Sequence, residues 1–549
     1  MKKHSSQTKF LRQAAVIVTL AVAAAGCSDA QPAPTPGEKP NAGDTGAVPG
    51  NKKFELKLMD WQGQNPPYQA AYDNVINDYM KLHPNVKIEH IYQPLANNGY
   101  DKLLDTQFVS HNAPDAIQLS GDMINKYTNQ GYIIHMEGYL NQPTPYSGGK
   151  KWIDTFVGGE ASFLQAKISN RFGVISFVPV DGGPGLADNR PFFYNKDLLK
   201  KAGVAEVPRT WKQFIEACQK LKEAGITPIA ADKERWVNWI NQWTGNQFGE
   251  NYASQYFDPK YDNIKELYAT KRSIAALTGK IDRKDPILNT QIDLVKEFSQ
   301  YWQDGWAGAG EQAAQQLFMY QKAAFLLDGN WNYGYYKENI KDFAWDVMPF
   351  PVITKETSPL AEEAFPKGNS TLATYGWGLN KDLEKDPDKL KVVIDFFHFA
   401  TSKEVQNKFV DTAITNSPVD GVHVPEVMKP FMETEKNKLK NPNGNTFYLE
   451  AEPTVRVAAS QQFYTGKIDK EQYLTLLEES TRKSTTKKAK DQLDEKIGLP
   501  NAMAAVEKQI AELESAKAAQ ILIDTKKKSL ETMKLQLELY KQYAEPALK

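Results

Sequence analysis

Phe54-Glu55-Leu56-Lys57-Leu58-Met59 alternates apolar and charged side chains, the period of a strand with one buried face. Downstream, Tyr72, Val75, Ile76 and Tyr79 recur at i, i+3, i+4 and i+7, which places them on one side of a helix. His83-Pro84-Asn85 ends that helix, and Val86-Lys87-Ile88-Glu89-His90-Ile91 alternates again as a strand. A second helical stretch near Tyr100 to Phe108 leads through Ala113-Pro114-Asp115 into the short apolar run Ala116-Ile117-Gln118-Leu119. Strand, helix, strand, helix, strand specifies an α/β fold with a largely parallel sheet. Ligands of such sheets sit beyond the carboxyl ends of the strands.

The same logic recurs further along. Phe192-Phe193-Tyr194 reads as a strand, Lys196 to Ala202 as a helix, and Thr210 caps a longer helix that runs to Glu223 before Gly225 stops it. Ala323-Ala324-Phe325-Leu326-Leu327 is a buried strand followed at once by Asp328-Gly329-Asn330-Trp331, and Tyr375-Gly376-Trp377-Gly378-Leu379 is another strand. A helix follows about Val392, Val393, Phe396, Phe397 and Phe399, and Asn416-Ser417-Pro418-Val419 reads as a loop. The 549 residues exceed the about 250–300 that one core serves, so at least two domains are expected. Lys+Arg of 66 against Asp+Glu of 67 leaves no whole-chain field to draw a polyanion, which argues against nucleic acid as a partner.

At the amino end, Lys2, Lys3, His4, Lys9 and Arg12 precede an uncharged run from Gln13 to Ala25 that closes on Ala24-Ala25-Gly26-Cys27. This is the layout of a secretory leader over residues 1–26, and the run is shorter than the ~20 residues a spanning helix needs. Its end resembles a bacterial lipobox, with Ala24 where Leu is usual. The resemblance implies that Cys27 is diacylated and anchors the chain to the outer face of the cell membrane; a plain leader with an incidental cysteine is the alternative. Residues 27–52 are rich in Pro, Gly, Ala and Asn with little to bury, the composition of a flexible tether.

Cys218, the other of the 2 cysteines, shares a helix face with Trp211, Phe214, Ile215 and Leu221, which makes it a buried small hydrophobe rather than a nucleophile. The 7 histidines show no metal-ligand spacing, and no metal or cofactor is expected. After Arg482 the composition turns to Lys, Glu, Gln, Leu and Ala, and Pro500 is read as separating two helical pieces. Leu530, Met533, Leu537, Tyr540 and Ala544 keep a 3,4,3,4 spacing, too short for a coiled coil, so a helix docked on the protein's own surface is expected.

Several segments in order resemble the family 1 extracellular solute-binding proteins, the maltose-binding-like group of ABC importers, from about Phe54 to Arg482. They include Phe193-Tyr194-Asn195-Lys196-Asp197-Leu198-Leu199, Val207-Pro208-Arg209-Thr210-Trp211, Leu221-Lys222-Glu223-Ala224-Gly225-Ile226-Thr227-Pro228, Lys322 to Trp331, Gly376-Trp377-Gly378-Leu379 and Thr465-Gly466-Lys467-Ile468. The resemblance implies a periplasmic-binding-protein-like fold, two α/β lobes with a carbohydrate in the cleft between them, and closure that presents the complex to a membrane permease. The expected division is lobe 1 at 53–188 and 322–368, lobe 2 at 189–321 and 369–482, and a C-terminal helical extension at 483–549. A monomer is expected.

A sugar offers apolar C–H faces edged by hydroxyls, so its site needs flat aromatic platforms with carboxylates and amides in the ring plane. The candidates are Asp60, Trp61 and Gln62 after the first strand, Asp122 after the third, Asp181 in a Gly-rich turn, Asn330 and Trp331, Trp236 and Trp239, and Trp377. Trp61 and Trp377 are read equally as core anchors. Asp122 is read equally as the cap of a helix beginning at Met123, and Trp243 is read as packing. A glycoside hydrolase is the alternative function, since it too is exported and Trp-rich, but it requires a pair of carboxylates flanking the scissile bond, and no recognisable pair stands in the sequence.

Overall fold

The computed structural model describes residues 52–549 apart from 63–64, 94–98, 164–165, 167–173, 183–191, 234–239, 242, 249–251, 263–266, 364–374, 429–449 and 516–519. The expected leader, Cys27 and nearly all of the tether lie outside the described residues.

β1 (Phe54–Asp60) buries Phe54, Leu56 and Leu58 and exposes Glu55 and Lys57, as its alternation dictates. α1 (Pro66–Leu82) starts on a Pro-Pro pair, suited to a first turn whose N–H groups have no helical partner. It lays Tyr68, Tyr72, Val75, Ile76 and Tyr79 into the core. β2 (Val86–Tyr92) and β3 (Ala116–Ser120) pair with β1 in parallel on either side, and α2 (Gly99–Val109) connects them. The order of the first sheet is β2-β1-β3-β8, and β8 (Tyr375–Leu379) pairs antiparallel with β3. The parallel trio is what the sequence pattern specifies; the antiparallel fourth strand comes from far along the chain.

The second sheet runs β5-β6-β4-β7. β4 (Phe192–Asn195) lies antiparallel to both β6 (Ala323–Leu327) and β7 (Trp345–Met348), and β5 (Thr227–Ala230) lies parallel to β6. The helix Trp211–Glu223 carries the expected cap: the Thr210 hydroxyl accepts from Gln213 N–H, and the Gln213 side chain returns the bond to the cap backbone. It buries Trp211, Phe214, Cys218 and Leu221, and burial pushes the Cys218 thiol well above its usual range, so the thiol is inert. Trp243 is buried beside Phe350, as read.

The strand pairing corrects the expected division of the chain. Residues 322–368 were assigned to the first lobe, yet β6 and β7 hydrogen-bond within the second sheet; residues 369–482 were assigned to the second, yet β8 completes the first. The helices Pro387–Ala400 and Lys403–Ala413 follow β8 and bury their apolar faces in the first core. The chain returns to the second core with the helices Pro453–Tyr464 and Lys470–Leu493.

The C-terminal helices are present, with two corrections. The helix Lys470–Leu493 passes unbroken through Arg482, and Pro500 lies in the first turn of the helix Leu499–Ser515 rather than between two pieces. The helix Gln520–Leu539 runs into a π-helical turn, Tyr540–Ala544. Leu499, Leu539, Tyr540 and Ala544 are buried in the same cluster as β4, β5 and β6 residues, with Met533 and Leu537 packed against it. The expected docking on the protein's own surface is what the structure shows. Lys260 pairs with Glu538 at 2.6 Å, Tyr261 donates to Gln542 at 3.3 Å, and the rings of Phe257 and Tyr543 meet edge to face at 5.0 Å.

Candidate functional site

Each sheet has a buried aspartate at the end of a strand, and each aspartate shapes the turn that follows. At the end of β1, Asp60 accepts from Gln62 N–H at 2.8 Å and from His90 Nε2 at 2.9 Å, which holds the Trp61-Gln62 turn. His90 in turn meets Asp73 at 3.0 Å and the Tyr92 hydroxyl at 2.9 Å. Burial works against its charged form, but the hydrogen bonds and charges of Asp60 and Asp73 outweigh burial and hold the imidazole above its usual range. After β6, Asp328 accepts from Gly329 N–H at 2.6 Å, from Asn332 Nδ2 at 3.0 Å and from Gln315 Nε2 at 3.1 Å, and it also takes the Tyr336 hydroxyl. These bonds fix the 3₁₀ turn Asn330–Asn332, which carries Trp331.

The two turns meet. Asn65, at the cap of α1, donates through Nδ2 to the Trp331 carbonyl oxygen at 2.7 Å. Trp331 also packs against the first core, although its strand belongs to the second sheet. The indole folds back over its own turn, and a Cβ at position 329 would overlap its ring, so Gly329 is what lets Trp331 lie there. Trp61 is half-buried and meets Tyr100 edge to face at 5.6 Å, and Gln62 is half-buried beside it.

Behind this rim lies a buried polar relay. The Tyr72 hydroxyl accepts from Trp377 Nε1 at 3.2 Å and from Gln118 Nε2 at 3.4 Å, and it hydrogen-bonds Asp181. Gln118 Nε2 reaches both Asp181 oxygens, at 3.3 and 3.4 Å, and Gln62 Nε2 reaches one at 3.5 Å. Burial, aided by the charge of Asp60 and opposed by the bonds from Tyr72 and Gln118, pushes the Asp181 carboxyl up to about 7.

The structure therefore joins the turn that follows β1, which carries Trp61 and Gln62, to the turn of Trp331 through Asn65, and sets Gln62 against the buried Asp181. Asp122 is exposed in the first turn of α3 (Gly121–Gln130); the cap is Ser120, whose Oγ accepts from Met123 N–H, so the reading of Asp122 as the cap is corrected. Trp377 is 1% exposed in the first core, against Tyr72 and Phe397 at 5.5 and 5.8 Å, which makes it a core anchor rather than a platform. Asp60 is 0% exposed, and its oxygens are engaged by the turn and His90, so it supports the rim instead of facing it. Trp236 and Trp239 lie outside the described residues. Sequence reasoning missed Asn65, His90, Gln118 and Asp328 as supporting groups. The available signal for Asp328 was an acid placed directly after an apolar strand and ahead of a Trp, the pattern also seen at Asp60-Trp61.

The bacterial extracellular solute-binding protein family matches residues 63–407. The chain is 23% identical over 430 residues to the sn-glycerol-3-phosphate-binding periplasmic protein UgpB of Brucella melitensis, covering 75% of this chain and 86% of the relative. It is 23% identical over 373 residues to the multiple sugar-binding protein of Streptococcus mutans, covering 67% and 76%. A solved chitin oligosaccharide binding protein is similar with a TM-score of 0.57 at 19% identity, over 79% of this chain and 99% of that one. The solute-binding protein RafE in complex with raffinose gives 0.54 at 16% identity, over 78% and 99%. At these identities the likeness to solved structures is one of fold. The family match runs through strands of both sheets and through the turn of Trp331, and the chain belongs to the bacterial extracellular solute-binding proteins.

Proposed function

We propose that the protein is the extracytoplasmic substrate-binding subunit of an ABC importer, which captures a sugar or oligosaccharide between two α/β lobes and hands it to membrane permease subunits. The observation that supports this reading is the 2.7 Å bond from Asn65 to the Trp331 carbonyl, which ties the turn after β1, with Trp61 and Gln62, to the turn after β6 of the other sheet. An indole face and a carboxamide suit the apolar face and hydroxyl edge of a pyranose. Asp122, exposed after β3, adds a carboxylate acceptor, with Asn330, Trp236 and Trp239 as further contacts. A site split between lobes also gives a reason to close: solute that touches both favours the form in which both are within reach.

No catalytic step belongs to this reading. Glycoside hydrolysis needs two carboxyl groups at the scissile bond, whereas Asp60 and Asp181 are 0% and 1% exposed and bound into the protein's own network. The sugar leaves unchanged. Residues 1–26 serve as the leader, Cys27 as the lipid attachment point on the outer face of the cell membrane, and 27–52 as the tether of a monomer. Among the described residues no helix is long and apolar enough to cross a membrane.

A thermal-shift screen tests the reading, because binding to the native state alone raises apparent stability. The panel is raffinose, chitin oligosaccharides and other sugars, with sn-glycerol 3-phosphate as the anionic comparison. A shift with a narrow set of sugars, recovered intact, is the expected result; a shift with glycerol phosphate alone would move the ligand to that class. Trp331→Ala is expected to weaken the binding of the responding sugar by about 1–3 kcal/mol, or about five- to 150-fold in Kd by calorimetry. An unchanged Kd would remove Trp331 from the site.

A further inference from the structure

His90 stands on β2 beside the end of β1, where the chain enters the turn that carries Trp61 and Gln62. Both of its ring nitrogens meet a carboxylate: Nε2 lies 2.9 Å from Asp60 Oδ2, and Nδ1 lies 3.0 Å from Asp73 Oδ1. The His90 side chain is 7% exposed and that of Asp60 0%, whereas Asp73, on α1, is 44% exposed. One ring thus ties β1, β2 and α1 together. The other oxygen of Asp60 takes the Gln62 N–H at 2.8 Å, so the carboxylate that grips the ring also shapes the turn.

A neutral imidazole has one N–H and one lone pair. Set between two carboxylates, it donates to one and turns its lone pair on the other, whereas an imidazolium donates to both. The Tyr92 hydroxyl fits the charged form, since it lies 3.1 Å from the same Asp73 oxygen and 2.9 Å from Nδ1. With the ring charged, the hydroxyl and Nδ1–H both donate to Asp73; with the ring neutral, the hydroxyl serves the ring or the carboxylate but not both. Among the described residues neither Asp60 nor Asp73 pairs with another cation, and Asp181 stands behind Asp60 as a further acid. The other titratable groups against the ring are Tyr72 on α1 and Tyr92 on β2, with ring centroids 5.9 and 4.3 Å away. A neutral His90 would therefore leave the buried Asp60 carboxylate without a counter-charge, a costly arrangement.

We propose that His90 is a positioning residue that works as an imidazolium: by bridging Asp60 and Asp73 it braces the Trp61-Gln62 turn against α1, so that solute capture weakens when the ring loses its proton. This rests on the reading of the protein as a solute-binding subunit with its site at that turn. Burial pulls the ring down, and the bonds and charges of Asp60 and Asp73 more than reverse that, leaving it raised from its usual 6.5. The folded chain keeps a proton that the unfolded chain releases near that usual value. The bridge's contribution to stability is therefore full below the usual value and is lost as pH rises through the higher value of the folded chain.

Two measurements test it. The first is the nitrogen-15 spectrum of the histidine rings against pH, with His90→Gln used to assign the signals. Protons on both nitrogens of His90 are expected to persist above the pH at which an exposed histidine loses one; a ring that titrates with the exposed histidines, or below them, would overturn the proposal. The second is the affinity for raffinose and chitin oligosaccharides from pH 6 to pH 9. Wild type is expected to hold its affinity at the acid end and lose it toward the alkaline end. His90→Gln, which keeps an amide donor but no charge, should bind about tenfold more weakly at pH 6, the order of one lost charge-assisted bond, and should show no such fall. Asp73→Asn, at a half-exposed position, keeps the fold and removes one of the two carboxylates, so its fall in affinity should move to lower pH. That movement separates the bridge from a merely structural role, and an identical pH profile in wild type and either variant would overturn the proposal while leaving solute binding intact. Failure of all three proteins to bind any solute at any pH would instead sink the underlying function, and the ring spectrum would still decide the charge of His90.

Discussion

Trp377→Ala is expected to destabilise the protein by about 3–5 kcal/mol, the range for removing a buried Trp and leaving a cavity. The indole is 1% exposed, contacts Tyr72 and Phe397, and donates through Nε1 to the Tyr72 hydroxyl at 3.2 Å. Truncation therefore removes core contacts and one of the donors to Tyr72 together. On either side of it, glycines admit the neighbours: a Cβ at Gly376 would overlap Phe177, and one at Gly378 would stand 2.7 Å from Leu119. A strand packed that closely has little room to collapse into the void. The measurement is the urea midpoint followed by fluorescence, with the slope unchanged if the unfolded state is unaltered. A loss under about 1 kcal/mol would show that Trp377 is not a core anchor and would return it to the list of sugar platforms.

Deleting residues 494–549 is expected to cost more than any single substitution. The deletion strips Leu499, Leu539, Tyr540 and Ala544 from the second core and uncovers the surface they bury. With about 1.5–3 kcal/mol for each large apolar side chain, the loss is comparable to the whole margin of about 5–15 kcal/mol that keeps a domain folded. The shortened chain should accumulate poorly and show a broadened, lowered thermal transition by circular dichroism. A truncated protein that melts within a few degrees of the full chain would establish the C-terminal helices as an appendage.

Individual strands and helix faces were legible because their signals are local: alternation in Phe54–Asp60, the heptad-like run from Tyr72 to Tyr79, and the Thr210–Gln213 capping pair. The pairing of β6 with β4 and of β8 with β3 was not legible, since register between distant segments leaves no mark on either one. The Gly-Trp-Gly of β8 did contain a clue, because glycines within a strand often mark close approach of a neighbour. At the site, sequence supplied the residue types but not their depth. Asp60, Asp181 and Trp377 look like ligand groups in a string of letters, and only packing reveals that other side chains already occupy their polar atoms. Trp331 is marked as a candidate by its place after an apolar strand, whereas Asn65, the α1 cap that donates to its carbonyl, carries no such mark.

The late arrival of β8 bears on how the protein comes into being. Ala116–Ser120 has its antiparallel partner only in Tyr375–Leu379, and the strands of the second sheet are made in the interval. A nascent chain emerging amino end first holds β1, β2 and β3 with one edge open and with Trp377 and the helix Pro387–Ala400 still unsynthesised. Pairing over such a separation in sequence is slow. Closure of the β3 edge therefore waits on residues made after the strands of the second sheet.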